Sequence, residues 1–255
     1  MNQFELHTAP MMGYSDLAFR ILMRVLSPFA HIYTPMIVDQ ALIMGRVLDD
    51  QEASGPVVLQ LGGGCPKLLA QAIECTPENK YSSINLNVGC PSDRVQHARM
   101  GACLMKDPEL VVDCFKSMQQ VSSIPITIKC RLGVDELYSY DYFMRFVEAL
   151  VLAGCETFII HARSAWLNVI NPKHNRLLPP LNYEWVYQIK QRFSDVKFII
   201  NGGVGVLDWP NHIKHTDGVM LGRLCVEDPY SIHEISCLMA PATKPLNRLE
   251  IIEHY

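Results

Sequence analysis

Short apolar runs alternate with amphipathic segments along this chain, and this alternation limits the folds that it can adopt. Each run ends in a polar residue or glycine, as a buried strand does, and eight occur, at 9–12, 32–34, 57–61, 84–88, 126–129, 158–161, 198–201 and 218–221. Apolar residues at three- and four-residue spacing predict helices between them, at 17–26, 68–75, 110–121, 140–152 and 185–193. Strands that alternate with helices pair in parallel through right-handed crossovers.

Eight such units within 255 residues favour a closed (β/α)8 barrel, the TIM barrel, over an open doubly wound sheet. An open dinucleotide-binding sheet would carry Gly-x-Gly-x-x-Gly after an early strand, and none occurs there. The nearest match begins late, at Gly203, and has Asp208 in place of the third glycine. The first run is the weakest of the eight because Pro10 shortens it.

Charge and cysteine content exclude several classes of protein. The chain has 22 basic and 26 acidic side chains, so any contact with a polyanion must come from a local patch. Its nine cysteines show no Cys-x-x-Cys spacing, which argues against a zinc ribbon and a thioredoxin-like site. The N-terminus lacks a basic and apolar leader, and no apolar run approaches the ~20 residues that span a bilayer. We expect a cytoplasmic protein with reduced thiols, no metal and no membrane contact.

The carboxyl ends of barrel strands carry the catalytic groups, and most of these ends hold polar residues or glycine here. Asn201, Gly202 and Gly203 follow the seventh run, and Gly222 and Arg223 follow the eighth. Glycines let backbone N–H groups approach an anion, and an arginine adds a charged donor. The pattern predicts a phosphate site that would suit a sugar phosphate, pyridoxal phosphate or flavin mononucleotide (FMN). Glycines that only turn the chain are the alternative.

Basic side chains also gather at these ends. Lys129 and His161 each close a buried run, which favours a position in the barrel mouth. Residues 157–183 contain no acidic residue but include three basic ones, Arg163, Lys173 and Arg176, and a second basic group that includes Arg94 follows the fourth run. Such stretches suit contact with phosphates and bases, with a solvated charged surface as the alternative.

The fourth run ends in a cysteine between glycine and proline, in the sequence Ile-Asn-Leu-Asn-Val-Gly-Cys-Pro at 84–91, and Gly-Ala follows at 101–102. Further motifs occur at 9–12, 60–63, 128–131, 161–163, 171–176, 201–203 and 217–223. Through these motifs the chain resembles the tRNA-dihydrouridine synthases over nearly its whole length. Residues 161–183 and the Pro-Ser-Asp-Arg at 91–94 are most similar to the bacterial A-type subfamily.

The resemblance implies a reaction and its site residues. It implies that FMN, reduced by NADPH, reduces the C5=C6 bond of D-loop uridines in tRNA, with uridines 20 and 20a expected, and that Cys90 is the general acid. A cysteine thiol is mostly protonated at neutral pH and can supply the proton that C5 needs. The residues implied for FMN are Pro10, Met11, Met12, Gln60, Lys129, His161, Asn201, Gly202, Gly203, Gly222 and Arg223. Asn87 and Arg176 are implied to contact the uridine, and the basic patches add Arg94, Arg163 and Lys173 as tRNA contacts.

The resemblance also implies a domain division. We expect residues 1–240 to form the catalytic barrel and residues 241–255 to form a linker and the start of a C-terminal helical tRNA-binding domain, most of which the chain lacks. Pro241 and Pro245 punctuate the linker, and Asn247 with Glu250 predicts a capping box at the start of a helix. We expect a monomer that retains FMN binding better than tRNA modification.

Two other functions remain open from the residues alone. One is a Schiff-base barrel, such as a phosphosugar aldolase, that uses Lys129 as nucleophile beside the same phosphate site. The Cys90 motif has no role in that reaction. The other is a flavin-binding or RNA-binding protein without turnover.

Overall fold

Eight parallel strands close into a barrel in the computed structural model, which describes residues 4–45, 55–77 and 80–255. The strands are β1 (Glu5–Thr8), β2 (His31–Tyr33), β3 (Ile37–Val38), β4 (Val57–Gly62), β5 (Ser83–Val88), β6 (Ile126–Arg131), β7 (Thr157–His161), β8 (Lys197–Asn201) and β9 (Gly218–Leu221). Each barrel strand pairs with its successor, β2 pairs with β4, and β1 closes the ring against β9. The two-residue β3, which the sequence pattern does not predict, pairs in parallel with the last two residues of β4. The predicted (β/α)8 barrel is confirmed.

The helices cover the outside of the barrel. They are α1 (Leu17–Leu26), α2 (Asp39–Ile43), α3 (Pro66–Glu74), α4 (Asp93–His97), α5 (Pro108–Val121), α6 (Tyr140–Leu152), α7 (Tyr183–Arg192), α8 (Trp209–His212), α9 (Leu224–Glu227), α10 (Tyr230–Met239) and α11 (Arg248–His254), with 3₁₀ turns at Gly101–Lys106 and His174–Arg176. The five predicted helices are confirmed. Three of them, α3, α5 and α7, begin two residues earlier than the apolar spacing predicts. For α3 and α5 the added first residue is a proline, which is favourable there because its missing N–H has no helical partner.

The predicted position of the first strand, 9–12, is wrong, since β1 ends at Thr8. The Ala9 N–H makes the last ladder contact, donating to the Leu221 carbonyl at 2.7 Å. Pro10 then has no N–H to continue the ladder. The Met11 carbonyl instead accepts from Ser15 N at 2.9 Å, so the chain has already entered the turn that leads to α1.

Alternate residues of each strand face the barrel axis, as the two-residue period of a strand requires. An apolar cluster fills the middle of the interior, and its members are Ala9, Tyr33, Val58, Ile159, Ile199 and Met220. A larger apolar cluster lies between the strands and the helices. The inward residues one pleat above the inner cluster, at the carboxyl ends of the strands, are polar. The inward residues one pleat below it, at the amino ends of the strands, are also polar.

The segment after α10 packs back onto the barrel. Leu246 N donates to Nε2 of the buried His233 at 2.8 Å, and the Nδ1 atom of the same ring lies 3.0 Å from the Leu26 carbonyl oxygen. The predicted capping box is confirmed, because Asn247 Oδ1 accepts from Glu250 N at 3.1 Å while Glu250 Oε2 accepts from Asn247 N at 2.7 Å. Among the described residues, no helix combines the length and the apolar character needed to cross a membrane.

Candidate active site

The carboxyl ends of the strands bring most of the predicted site residues together in one opening, the barrel mouth. We define the mouth cluster as five inward polar residues, which are Gln60, Asn87, Lys129, His161 and Asn201. Strand pairing sets their spacing: Asn87 lies opposite Lys129, and His161 opposite Asn201. The barrel register alone therefore places predicted residues from five strands at one end of the barrel interior.

A chain of amide side chains runs from the mouth into the interior. Asn87 Nδ2 donates to Gln60 Oε1 at 2.9 Å, and Gln60 Nε2 donates to Asn85 Oδ1 at 2.8 Å. Asn85 Nδ2 continues to Thr127 Oγ1 at 2.9 Å. Because each amide is satisfied by its neighbour, the network can remain buried without a desolvation cost, and it fixes the orientation of Gln60 and Asn87.

Asn87 also shapes the turn that carries Cys90. Its Oδ1 atom accepts from Gly89 N at 3.1 Å and from Cys90 N at 2.9 Å. Gly101 closes the turn from the other side with a φ of +76°, and a Cβ there would lie 2.5 Å from the Cys90 carbonyl oxygen. Only glycine fits this position. The half-buried Cys90 side chain therefore sits on a turn held from both sides, next to the mouth cluster.

Arg131 connects this turn to the long loop after β7. Its Nε atom donates to the Gly89 carbonyl at 2.9 Å, and one terminal nitrogen donates to the carbonyls of Ser164 and Asn175 at 2.8 and 3.0 Å. Burial lowers the pKa of Arg131 to about 10, so the guanidinium stays charged at neutral pH. One buried cation thus links Cys90's turn with the loop across the mouth.

The mouth is electropositive. Burial and the nearby Arg131 lower the pKa of Lys129 to about 8, and Lys129 Nζ donates to Asn201 Oδ1 at 3.1 Å. Burial together with the charges of Arg131, Lys129, Arg163 and Arg176 holds the pKa of His161 well below its usual range, so this ring is neutral. The neighbours whose charges shift the pKa values of Lys129 and His161 are basic residues and cysteines. No carboxylate from the described residues is among them. A site with this excess of positive charge favours an anionic ligand.

The glycines after β8 pack against the mouth in left-handed backbone conformations. Gly202 has a φ of +106° and Gly203 a φ of +71°. A Cβ on Gly202 would lie 2.4 Å from His161 Cδ2, so the backbone approaches this ring more closely than any side chain would allow. The Tyr183 hydroxyl donates to the Gly202 carbonyl at 2.7 Å, and Asn201 Nδ2 donates to the Met220 carbonyl at 2.9 Å. These bonds fix the loop.

The remaining residues predicted for the cofactor also lie at this end of the barrel. Pro10 and Met11 are partly buried beyond β1, with Met11 packed against the inner apolar cluster, while Met12 is exposed. Gly222 directly follows β9, and Arg223 is an exposed residue at the start of α9. The structure therefore brings the predicted glycines together at two adjacent strand ends, with Arg223 at their solvent edge.

The predicted tRNA contacts divide into exposed and buried residues. Arg94, Lys173 and Arg176 are exposed around the mouth. Arg163 is buried instead, and its guanidinium donates to the carbonyls of Leu177 and Pro179. In this structure Arg163 therefore holds the loop that follows β7, and its prediction as an RNA contact has no support from its position.

A family model corresponds to this arrangement. The model described as dihydrouridine synthase (Dus) matches residues 7–253, which is nearly all of the chain. The chain belongs to the dihydrouridine synthase family. The match includes every strand end described above and the turn that carries Cys90.

Curated relatives of this chain agree with the family match. The tRNA-dihydrouridine(20/20a) synthase of Xanthomonas campestris pv. campestris is 43% identical over 243 residues, covering 94% of this chain and 72% of that protein. The enzymes of the same name from Xanthomonas axonopodis and Synechocystis sp. are 46% and 44% identical, over 89% and 97% of this chain and 70% and 76% of their own lengths. Among solved structures, N-(5'-phosphoribosyl)anthranilate isomerase from Pyrococcus furiosus superposes with a TM-score of 0.54 at 10% identity, covering 94% of this chain and all of that one, which shows a shared fold alone.

Several residues that build the candidate site are not predicted from the sequence. Asn85 lies two residues before Asn87, so the two-residue period of a strand could have placed it on the same inward face. Tyr183 and the buried Asn175 carry no such signal. Asn175 accepts from Trp166 N at 2.8 Å and donates to the carbonyls of Trp166 and Ile170, and thereby folds the loop upon itself. Contacts of this kind depend on how a loop returns to the barrel.

Proposed function

We propose that this chain reduces the C5=C6 bond of D-loop uridines in tRNA, at positions 20 and 20a, to 5,6-dihydrouridine, using FMN as bound cofactor and NADPH as reductant. One observation carries the proposal: Cys90 stands on a fixed turn beside a cation-rich mouth that ends in two close-packed glycines. The names of the curated relatives support the tRNA substrate and its position. We place this activity in the cytoplasm and expect a monomer.

The residues of the mouth fit FMN in charge and shape. Lys129 and the neutral His161 offer donors to a ring system. Gly203 is exposed and has no side chain, so the backbone N–H groups of this turn can approach a phosphate. Arg223 at the solvent edge adds a charged donor for the phosphate. Gln60 is oriented by the amide network, so it can present a fixed group to the ring without rearrangement.

The chain's own groups supply the acid step. When bound and reduced by NADPH, FMN would supply a hydride, which is two electrons with one proton, to C6 of uracil. The Cys90 thiol donates its proton to C5 of uracil, and Lys129, on the neighbouring strand β6, stabilises negative charge on the bound ring system. Asn87 holds the backbone N–H groups of Gly89 and Cys90, so it fixes where the thiol points. A free hydrogen on its Nδ2 can still contact the uridine.

The RNA would approach the exposed basic residues around the mouth. Arg94 follows the turn that carries Cys90, Lys173 and Arg176 lie in the loop after β7, and each is exposed and can pair with a phosphate. The uridine must leave its base stack to reach Cys90, which costs a few kcal/mol and is least costly in an unpaired loop. In the same proposal residues 1–240 are the catalytic barrel, and residues 241–255 are a linker and the first helix of a tRNA-binding helical domain.

A flavin titration tests the proposal. The purified chain should bind FMN and turn yellow, NADPH should bleach the colour without oxygen, and tRNA that lacks dihydrouridine should restore it. The same tRNA already reduced at positions 20 and 20a is the control and should leave the colour bleached. A chain that binds no FMN, or a bleached flavin that both tRNA samples reoxidise equally, would refute the proposal.

A Schiff-base reaction is the competing function, and the lowered pKa of Lys129 favours it. An amine with a pKa of about 8 is partly neutral at physiological pH and can attack a carbonyl. Borohydride would then trap a phosphosugar on Lys129, and Lys129→Arg would abolish the trapping. Trapping without any FMN binding would favour this reaction over uridine reduction.

A further inference from the structure

A second polar cluster lies at the amino ends of the strands, opposite the mouth. We define this barrel floor cluster as Glu5, His7, His31, Tyr33 and Lys197. Glu5 and His7 are two residues apart on β1 and share the inward face, and the parallel register places His7 opposite His31 of β2. Strand pairing therefore fixes a carboxylate and two imidazoles side by side. No step of the proposed reaction uses them.

The donor atoms of three floor residues converge. His7 Nε2 lies 3.0 Å from Glu5 Oε2, and His31 Nε2 lies 3.9 Å from the same oxygen. The candidate donor atoms of these three residues all lie within 4.8 Å of one another. A tetrahedral zinc ion with bonds of about 2.0–2.1 Å separates its donor atoms by about 3.3 Å. The cluster is thus close to the size that such an ion requires.

The surroundings match those of a metal-binding histidine. The two rings are stacked with their centroids 4.4 Å apart and their planes 9° apart, so both edges face Glu5. Coordination requires one ring to turn, and His31 is partly exposed, which gives it room. The Tyr33 hydroxyl oxygen lies 3.3 Å from His7 Nδ1 and can accept a hydrogen bond from Nδ1–H, which would leave Nε2 as the ligand.

The ligand types in the cluster favour a transition metal over other cations. Glu5 Oε1 accepts from Lys197 Nζ at 2.6 Å, while Oε2 is left to the histidines. Two imidazoles and one carboxylate suit zinc, nickel or copper, whereas magnesium and calcium prefer oxygen ligands alone. Glu5, His31 and Lys197 are all partly open to solvent, so an ion can enter from the floor.

We propose that Glu5, His7 and His31 form a binding site for one divalent transition-metal ion, principally Zn²⁺, at the floor of the barrel. Three protein ligands leave one position for water. The ion would tie β1 to β2 at the end of the barrel away from the mouth. The expectation of no metal rested on cysteine spacing, which carries no information about histidines on neighbouring strands.

Calorimetric titration of the full, metal-stripped chain with Zn²⁺ tests the site. We expect one ion per chain, and a rise in the melting temperature of roughly 5–10 °C at free zinc about one hundred times the dissociation constant. Removal of a direct ligand costs more than the 10- to 100-fold loss typical of an outer-shell change, so His31→Asn should weaken binding at least about a hundredfold. Lys197→Met is the matched control and should bind zinc more tightly, because Glu5 then loses a competing cation.

Cysteines are the alternative zinc ligands, and Co²⁺ distinguishes them. Cobalt at the floor should give visible absorption bands without the near-ultraviolet charge-transfer band of a thiolate ligand, and this measurement needs no substitution. Cys65→Ser with Cys75→Ser removes the two exposed cysteines and should leave binding unchanged. Unaltered zinc affinity in His31→Asn, a thiolate band with cobalt, or loss of binding in the cysteine variant would each overturn the proposal. FMN binding is a separate readout, so its failure leaves this test intact.

Discussion

The two ends of the barrel interior both carry polar side chains, but they satisfy them differently. At the mouth, Lys129 donates a hydrogen bond to the amide oxygen of Asn201. No carboxylate from the described residues contributes to the pKa shift of Lys129. At the floor, Lys197 forms a direct ion pair with Glu5 at 2.6 Å. The mouth keeps an uncompensated positive charge, whereas the floor is neutralised by its own residues.

This difference separates a site that needs a ligand from one that does not. Buried cations without a counter-charge are costly, and a bound anion would recover that cost at the mouth. The floor is stable as it stands, so a metal there would add to the structure rather than complete it. We therefore expect substitutions at the mouth to alter reaction and cofactor, and substitutions at the floor to alter stability.

The largest expected effect is that of Cys90→Ala, which tests the mouth as a reactive site. General acids contribute about 10²- to 10⁴-fold to rate, so dihydrouridine formation should fall by this factor while FMN binding remains. Single-turnover reduction of tRNA followed by dihydrouridine quantification measures it. Cys103→Ser, a half-buried thiol that donates to the Met100 carbonyl, is the control and should retain activity. An equal fall in dihydrouridine formation in both variants would show that Cys90 is not the general acid.

An intermediate effect is expected from pH at the floor. Burial, with a smaller contribution from the charge of His7, lowers the pKa of His31 to about 3. The unfolded chain then binds a proton near pH 6.5 that the folded chain does not, so stability is lost as pH falls from about 6.5 towards 3. Between pH 7.5 and pH 5, His31 should account for about 1–2 kcal/mol of the fall in unfolding free energy.

The variant His31→Gln checks this pH effect. Denaturant unfolding in buffer with a chelator should show a smaller loss of stability between the two pH values than the unmodified chain shows. Both proteins share all other titrating groups, so their difference isolates His31. An identical pH dependence would mean that the floor is not protected from protonation.

The smallest expected effect concerns the loop after β8. Tyr183→Phe removes the hydrogen bond to the Gly202 carbonyl, and a neutral bond contributes about 0.5–1.5 kcal/mol. FMN should bind roughly two- to tenfold more weakly, as measured by fluorescence quenching. Tyr187→Phe, on the same helix, loses a bond to His212 instead and should leave FMN affinity unchanged. Equal weakening in both variants would indicate a general loss of packing at α7.

The sequence predicts those parts of the structure that follow from periodicity. Seven of the eight barrel strands, and the placement of Gln60, Asn87, Lys129, His161 and Asn201 at one end, follow from the apolar runs, from strand order and from the rule that parallel strands end at the same rim. The capping box at Asn247 depends on neighbours three residues apart. Such features are local, so a single sequence contains them.

The sequence does not predict features that depend on distant contacts. The buried position of Arg163 follows from a loop that returns over it at Leu177 and Pro179, and nothing in the spacing shows that return. The floor cluster needs the register between β1 and β2, which the misplaced first strand hid. The apolar residues at 9–12 predict a strand there, although Pro10 shortens it, whereas the strand in the structure ends at Thr8.

Closure of the ring between β1 and β9 has a consequence for how the chain is made. Residues 9–217 must be synthesised between these strands, and the Glu5–Lys197 bond joins groups 192 positions apart. At about 5–20 residues per second, roughly 10–40 s pass between the synthesis of β1 and the synthesis of its second pairing partner, β9. An unpaired strand edge invites aggregation during that interval. Synonymous codon changes that slow the ribosome between β2 and β9 should therefore lower the yield of folded protein without changing a single residue.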